Sequence, residues 1–379
     1  MLNVEWLKQQ FQTHFSKQPQ VIVRAPGRIN LIGEHTDYNQ GLVLPMAINR
    51  YVWMAGSSRS DHRIIAHSFD FQNQAEFSLE NNIPARSGMW IEYIAGIANS
   101  FIQQGFAIQG ADIFFAGEVP IGAGLSSSAA LEMATARMLS ALWNIPWHGP
   151  TMAKLGQQAE NQWVGVNCGI MDQMISACGK SNHALFLDCK DLVMLQVPFP
   201  SSIAVVVLDT STRRDLSQSN YNTRREECLE TAQKCKVLSL RELSIAQFEH
   251  LRPNLSDVLQ KRGRHVISEN QRVLEAVEAL RSNDPIMLGK LLNQSHQSLR
   301  DDFEVCNDAL NTMAIQAQQL GCYGARMTGA GFGGCCIALV EAAQAESFVE
   351  QVHQQYAQAT GLTPKIYICH SVNGAEKLT

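Results

Sequence analysis

Apolar positions along the chain keep two different rhythms. In "VIVRAPG" (21–27), "YVWMAGSS" (51–58), "ADIFFAG" (111–117) and "ALFLDC" (184–189), short runs rich in β-branched and aromatic residues predict strands. Between them the period lengthens. In "SSSAALEMATARMLSALW", Leu131, Ala134, Met138 and Leu142 fall near one helical face, and Met152, Leu155, Ala159 and Trp163 do the same in "TMAKLGQQAENQWVG". Both stripes read as core faces. The opening "MLNVEWLKQQFQTHF" is an amphipathic helical pattern.

Around "QVPFPSS" (196–202) two prolines interrupt the pattern before a new strand, "IAVVVLDTS". This is the candidate boundary between an N-terminal lobe, 1–197, and a C-terminal lobe, 198–379. The second half predicts long helical stretches over about 215–236, 256–282 and 285–319. After these come the glycine-rich "ARMTGAGFGGCCIALV", a helix near 342–359 and a last strand, "KIYICH". Strands mixed with helices in both halves predict an α/β (α+β) fold in two lobes.

Length supports that division, since 379 residues exceed one typical core. Apolar residues at 45% and charged residues at 17% describe an ordinary globular chain. A net charge of -5 argues against a nucleic-acid surface, which is usually basic. The first residues have no continuous apolar run, so no signal peptide is expected. The longest apolar run, "IAVVVL", is far short of the ~20 residues that span a membrane. Ten cysteines sit within apolar runs without C-x-x-C spacing, so neither disulfides nor zinc are expected. The expected compartment is the reducing cytoplasm.

Four stretches carry polar groups that packing does not explain. "APGRINLIGEHTDY" (25–38) sets Arg28, Glu34, His35 and Asp37 around an apolar centre. In "GEVPIGAGLSSSAALEMA" (117–134) a strand ends in a glycine loop, and three serines open a helix. Glycine permits close backbone approach, and a helix start offers free N–H groups to an anion. A capped helix after a glycine turn is the plainer alternative. The loop lacks the lysine of G-x-x-x-x-G-K-[ST], and Ser128 stands where an esterase elbow needs its second glycine. A nucleotide loop without lysine needs another counter-charge. Mg²⁺ on a serine hydroxyl and a carboxylate such as Glu160 would supply one, although a solvated helix position explains Glu160 as well. In "VGVNCGIMDQMISACG", Asp172 interrupts an apolar continuation and needs a cation, for which Arg28 is a candidate. "RMTGAGFGGCC" (326–336) places four glycines between two strands, as a tight hairpin or a second ligand loop.

Taken in this order the motifs resemble one family. "PGRINLIGEHTDYN" resembles the galactokinase signature, and "PIGAGLSSSAALE" and "RMTGAGFGGC" resemble the ATP loop and third motif of the GHMP small-molecule kinases. "ENQWVGVNCGIMDQ" and "SNYNTRREEC" are also similar to galactokinase segments, so the resemblance runs from about residue 20 to 370. It implies a two-lobed fold with the active site in the cleft, and ATP-dependent phosphorylation of galactose at its C1 hydroxyl. By resemblance, Glu34, His35, Thr36, Asp37, Gly169 and Tyr221 bind the sugar, and Arg28 and Asp172 face the reacting hydroxyl. Asp172 acts there as a general base or as an orienting group. Gly122, Ala123, Gly124, Leu125, Ser126, Ser127 and Ser128 wrap the phosphates. Ser128 and Glu160 match the Mg²⁺ ligands, and Ser68 aligns with a nucleotide contact. The family implies a monomer. A kinase for a related sugar such as N-acetylgalactosamine and a catalytically silent galactose sensor are the rival readings. The intact "GLSSSAA" favours an active enzyme.

Overall fold

A computed structural model describes residues 2–80, 88–213 and 217–379, with the side chains of 217–219 excepted. The strands predicted over 21–27, 51–58 and 111–117 form the centre of a six-stranded sheet, whereas the one predicted over 184–189, His183–Asp188, lies in a separate three-stranded sheet between Leu42–Val43 and Val193–Pro198. The order of the six-stranded sheet is Glu376–Lys377, Val21–Asn30, Pro45–Ser58, Ala111–Gly117, Arg63–Ser68 and Asn73–Ser78. All neighbours are antiparallel except Arg63–Ser68 beside Ala111–Gly117. Strand alternation gives the sheet two buried faces. Val21, Val23 and Ala25 join the large core beneath helix Ser127–Leu142, whereas Ile22, Tyr51, Trp53 and Phe114 meet Leu7 and Phe11 of helix Val4–Phe15.

The second half builds a four-stranded antiparallel sheet in the order Gly324–Thr328, Cys335–Glu341, Ile203–Asp209, Lys365–Cys369. Its run "IAVVVLD" is apolar at six consecutive positions because both faces are covered. Ile203, Val205 and Val207 point into the core shared with the first half. Ala204, Val206 and Leu208 point into a second core with the C-terminal helices. The proline-rich turn at 199–202 therefore separates two strands whose side chains enter one continuous core. The chain's last strand also returns to the first sheet, pairing Val23 with Lys377 and Arg24 with Glu376.

The single helix expected over 285–319 is two, Pro285–Asp301 and Asp308–Gln319. Asn307 ends the gap by accepting the Leu310 N–H on its side chain at 2.9 Å, which starts a new helix rather than continuing the old one. Ser217–Lys234 and Asp257–Arg281 match the other expected helices, and residues 215–216 lie outside the described residues. A short helix not expected from the pattern, Ile245–Leu251, is set by a Ser244/Gln247 capping box. The late glycine loop is a hairpin connection, 329–334. Gly334 has φ of 86°, and a Cβ there would stand 2.7 Å from Ala123 O, so the two glycine loops are in contact. All ten cysteines are free thiols. Among the described residues no helix is long and apolar enough to cross a membrane.

Candidate active site

Strand Val21–Asn30 delivers Arg28 to the middle of the molecule. Its guanidinium, 5% exposed, grips Asp172 with both arms, Nε to Oδ1 at 2.8 Å and Nη2 to Oδ2 at 2.7 Å. The third nitrogen donates to the Gly124 carbonyl at 2.5 Å, and Ser126 donates its hydroxyl to Asp172 Oδ2. The cation expected for Asp172 is thus Arg28, in the two-pronged geometry that fixes a carboxylate most firmly. Asp172 stands in the first turn of helix Met171–Cys178, its side chain 27% exposed to a cavity of about 390 Å³.

One wall of that cavity is the loop after Asn30. Glu34 accepts from Gly329 N at 2.8 Å, Thr328 Oγ1 at 3.0 Å and Asn30 Nδ2 at 3.1 Å, with Arg326 at 3.3 Å. His35 has φ of 61°. Its Nε2 lies 3.2 Å from the Ala330 carbonyl, so that nitrogen carries the proton, and Nδ1 accepts from the Tyr38 hydroxyl at 2.8 Å. Burial, then the neighbouring charge of Asp172, pushes the Asp37 carboxyl up to about 7. Gly169 is required here by space. A Cβ would lie 1.9 Å from Asp37 Oδ2. Tyr221 lines the same cavity from helix Ser217–Lys234, and Arg225 of that helix donates to Asn167 O at 3.0 Å, tying down the loop before Gly169.

The opposite wall is the glycine–serine loop. Gly122, Gly124, Ser126, Ser127 and Ser128 line the cavity at the start of helix Ser127–Leu142. Ser126, at φ of 58°, does not cap the helix. Its hydroxyl is committed to Asp172, which leaves the helix N–H groups for a ligand. Glu160 is not a solvated helix position. It is buried in a single π-turn, Ala159–Val164, and bonded to Ser128, Cys168 Sγ at 3.3 Å and the Gln173 amide at 2.6 Å. Burial first, then the charge of Asp172, raises its carboxyl to about 7. A second cavity of about 380 Å³ opens beyond Ser127 and Ser128, walled by Trp90, Phe115, Val119, Pro120 and Leu131. Its largely apolar lining suits a nucleobase.

A galactokinase galactose-binding signature matches residues 9–58, and the N-terminal and C-terminal domains of the GHMP kinases match 92–180 and 276–358. The galactokinase of Roseiflexus sp. (strain RS-1) is 43% identical over 384 residues, covering 100% of this chain and 98% of its own. The chain belongs to the galactokinase family. The galactokinase of Haemophilus influenzae is 42% identical over 99% of both chains. The crystal structure of Lactococcus lactis galactokinase complexed with galactose superposes with a TM-score of 0.95 at 36% identity, over 99% of both chains. Mevalonate kinase of Methanococcus jannaschii, at 19% identity and a TM-score of 0.67 over 93% of this chain, shares the fold.

Several residues expected from galactokinase motifs do not present side chains to the site. Thr36 is fully buried, and its hydroxyl lies 2.8 Å from Gly33 O and 2.7 Å from Leu42 O, knitting the loop together instead of facing the cavity. Ala123 and Leu125 are buried, and their backbone carries the loop's shape. The Leu125 carbonyl accepts Arg28 N at 3.1 Å. Ser68 lines neither cavity. It ends a strand, fully buried, and accepts Phe71 N at 3.3 Å, so the turn it supports puts Asp70 and Phe71 into the second cavity instead. Sequence reading missed Glu132 and Gln173, both fully buried behind Glu160. Glu132 carried one signal, a carboxylate one turn after Ser128 within "AALEMATA".

Proposed function

We propose that this galactokinase-family kinase transfers the terminal phosphoryl group of ATP to the C1 hydroxyl of galactose. The observation that carries the reading is the Arg28–Asp172–Ser126 cluster, which joins the phosphate loop to the Glu34–His35–Asp37 cage in one cavity. Glu34, His35, Asp37 and Tyr221 bind the sugar hydroxyls, and the Gly169 backbone makes room for Asp37. Each contact penalises an epimer that leaves it unpaired. The phosphates lie along Gly122–Ser128 at the helix start, and the base occupies the apolar second cavity.

Phosphoryl transfer needs in-line placement and charge stabilisation more than covalent chemistry. Asp172 orients the attacking hydroxyl and receives its proton. Arg28 keeps that carboxylate aimed and faces the charge that develops on the transferring group. Among the described residues no three His, Cys, Asp or Glu side chains are arranged to hold a metal ion by themselves. The residues fit Mg²⁺. Glu160, Glu132 and Asp172 crowd carboxylates into one buried region whose guanidinium, Arg28, is already engaged by Asp172. Ser128 and Glu160 would hold the ion, which neutralises phosphate charge when bound. We also read the protein as a cytoplasmic monomer, its ten free thiols suiting a reducing compartment, with lobes 1–197 and 198–379 flanking the cavity.

The test is ATP- and Mg²⁺-dependent phosphorylation of galactose, glucose, N-acetylgalactosamine, arabinose and galacturonate, followed by ADP release and product mass. Turnover on galactose giving the 1-phosphate is expected. Preference for another sugar would move the specificity, and galactose binding without turnover would establish a sensor.

A further inference from the structure

Glu160 is aimed by two neighbours. The Gln173 amide nitrogen donates to Glu160 Oε2 at 2.6 Å and to Glu132 Oε2 at 2.9 Å. An amide NH₂ has two protons, so both are spent, one on each carboxylate. Gln173 and Glu132 are 0% exposed and Glu160 is 6% exposed. Two acceptors in this group, Glu132 Oε1 and Gln173 Oε1, are buried without a hydrogen-bond partner. As filling for a core that is a costly choice, because apolar side chains of similar volume would leave nothing unsatisfied. The compartment is also closed tightly. A Cβ on Gly156 would lie 3.0 Å from Gln173 Cγ and 3.3 Å from Glu132 Oε2, so helix backbone packs directly on the bridge. Gln173 follows Asp172 on one helix, where successive side chains diverge by ~100°. One turn therefore presents Asp172 to Arg28 and Gln173 to Glu160.

We propose that Gln173 and Glu132 are positioning residues for metal binding, their amide–carboxylate bridge fixing the rotamer in which Glu160 stands beside Ser128. The inference rests on the reading of Glu160 as a metal ligand. It requires an acceptor at 132 and a donor at 173, not a charge at 132.

The test measures Mn²⁺ affinity of the full-length protein with ADP and galactose by electron paramagnetic resonance, and galactose affinity without metal by calorimetry. Gln173→Met keeps the length and removes the bridge. Mn²⁺ affinity is expected to fall ~10–100-fold, the usual range for partners that orient a ligand, while galactose affinity changes less than about twofold. Unchanged Mn²⁺ affinity, or parallel losses of both ligands, would overturn the proposal. Glu132→Gln retains the acceptor, and its own amide can donate to the unpaired Gln173 Oε1. It is expected to melt no lower than the parent and to keep Mn²⁺ affinity within about threefold. A tenfold loss in this folded variant would mean that charge, not orientation, is what residue 132 contributes, and would also overturn it. Glu160→Gln separates the two readings. If it leaves Mn²⁺ binding intact, the metal assignment itself fails. If it weakens binding while Gln173→Met does not, only the positioning inference fails.

Discussion

Gly169→Ala tests the sugar cage through space alone. The added Cβ would start 1.9 Å from Asp37 Oδ2 and 2.2 Å from its Cγ. Reaching ordinary contact requires the carboxylate to retreat by about 1.5 Å. A hydrogen bond stretched by that amount is lost, and one made by a charged group is worth ~1.5–3 kcal/mol. With tenfold for every 1.4 kcal/mol, the galactose KM should rise about 10–150-fold. If Asp37 holds the sugar equally in ground and transition states, kcat should stay near the parent value. The KM for ATP should not move, because the phosphate loop lies on the opposite wall. Steady-state kinetics with each substrate varied in turn, on protein of unchanged melting temperature, reads all three quantities. A double-mutant cycle with Asp37→Ala completes the argument. In that background Gly169→Ala should cost little further, since the displaced carboxylate is gone. A galactose KM within twofold of the parent, or full additivity in the cycle, would refute the steric chain from Gly169 to Asp37.

Other variants probe different links. Asp172→Ala should nearly abolish turnover while galactose still binds by calorimetry, and parent-like turnover would remove Asp172 from the mechanism. Asp37 and Glu160 have carboxyls raised to about 7, so kcat/KM for galactose should climb between pH 6 and 8 as both ionise. Their folded values exceed the ordinary 3.8 and 4.5. The stability they contribute is therefore complete below those ordinary values and disappears as pH rises through about 7. The ligand-free melting temperature should lose this contribution from about pH 5 to 7 and level off above, and Asp37→Asn should flatten part of that slope. Arg262 is 2% exposed and donates to Glu227 at 2.6 Å, Glu304 at 2.8 Å and Asp302 O at 2.6 Å. Arg262→Met should lower stability by about 3 kcal/mol in urea titrations by leaving these partners unpaired, with activity at low temperature retained.

Local pattern made the architecture legible where one period ruled a segment, as in the strands around Val21–Asn30 and the stripe of Ser127–Leu142. It failed where the deciding contacts were distant. The break between Asp301 and Asp308 follows from a cap and from Phe303 entering the second core, neither of which disturbs the apolar spacing. Arg28 and Asp172 could be paired from sequence because each is a charge in apolar surroundings needing a partner. Thr36 read as part of the cage because it adjoins His35 and Asp37, yet the tight turn there sends its hydroxyl inward. Glu132 and Gln173 were hidden for another reason. Each is an unremarkable helix residue until helices Ser127–Leu142 and Met171–Cys178 and the π-turn converge, and a π-turn has no simple period to read.

The same convergence explains why the sugar-binding stretch has its shape at all. Residues 31–42 are mostly irregular backbone, and buried irregular backbone needs partners for its polar groups. The C-terminal half provides them. On helix Asp257–Arg281, Glu269 accepts Gly33 N at 3.0 Å, His265 donates to Glu34 O at 3.1 Å, and Asn270 accepts Leu42 N at 2.8 Å. Arg326 donates to Leu31 O at 2.8 Å. His265 and Glu269 are one helical turn apart and so share a face. Burial works to raise the Glu269 carboxyl, but Arg272 and the hydroxyl of Ser295 help hold it down at about 2, so the acceptor stays ionised. Burial lowers His265 to about 4, so its ring stays neutral and Nε2 keeps the proton that the Glu34 carbonyl requires. The stretch proposed to bind the sugar is therefore held in shape by side chains more than two hundred residues away in sequence. The shared core behind it, with Ile203 and Val273 on one side and Val43 and Leu187 on the other, keeps both halves in register. In this protein the proline-rich turn at 199–202 divides the sequence of strands, whereas the proposed sugar site draws on residues from both sides of it at once.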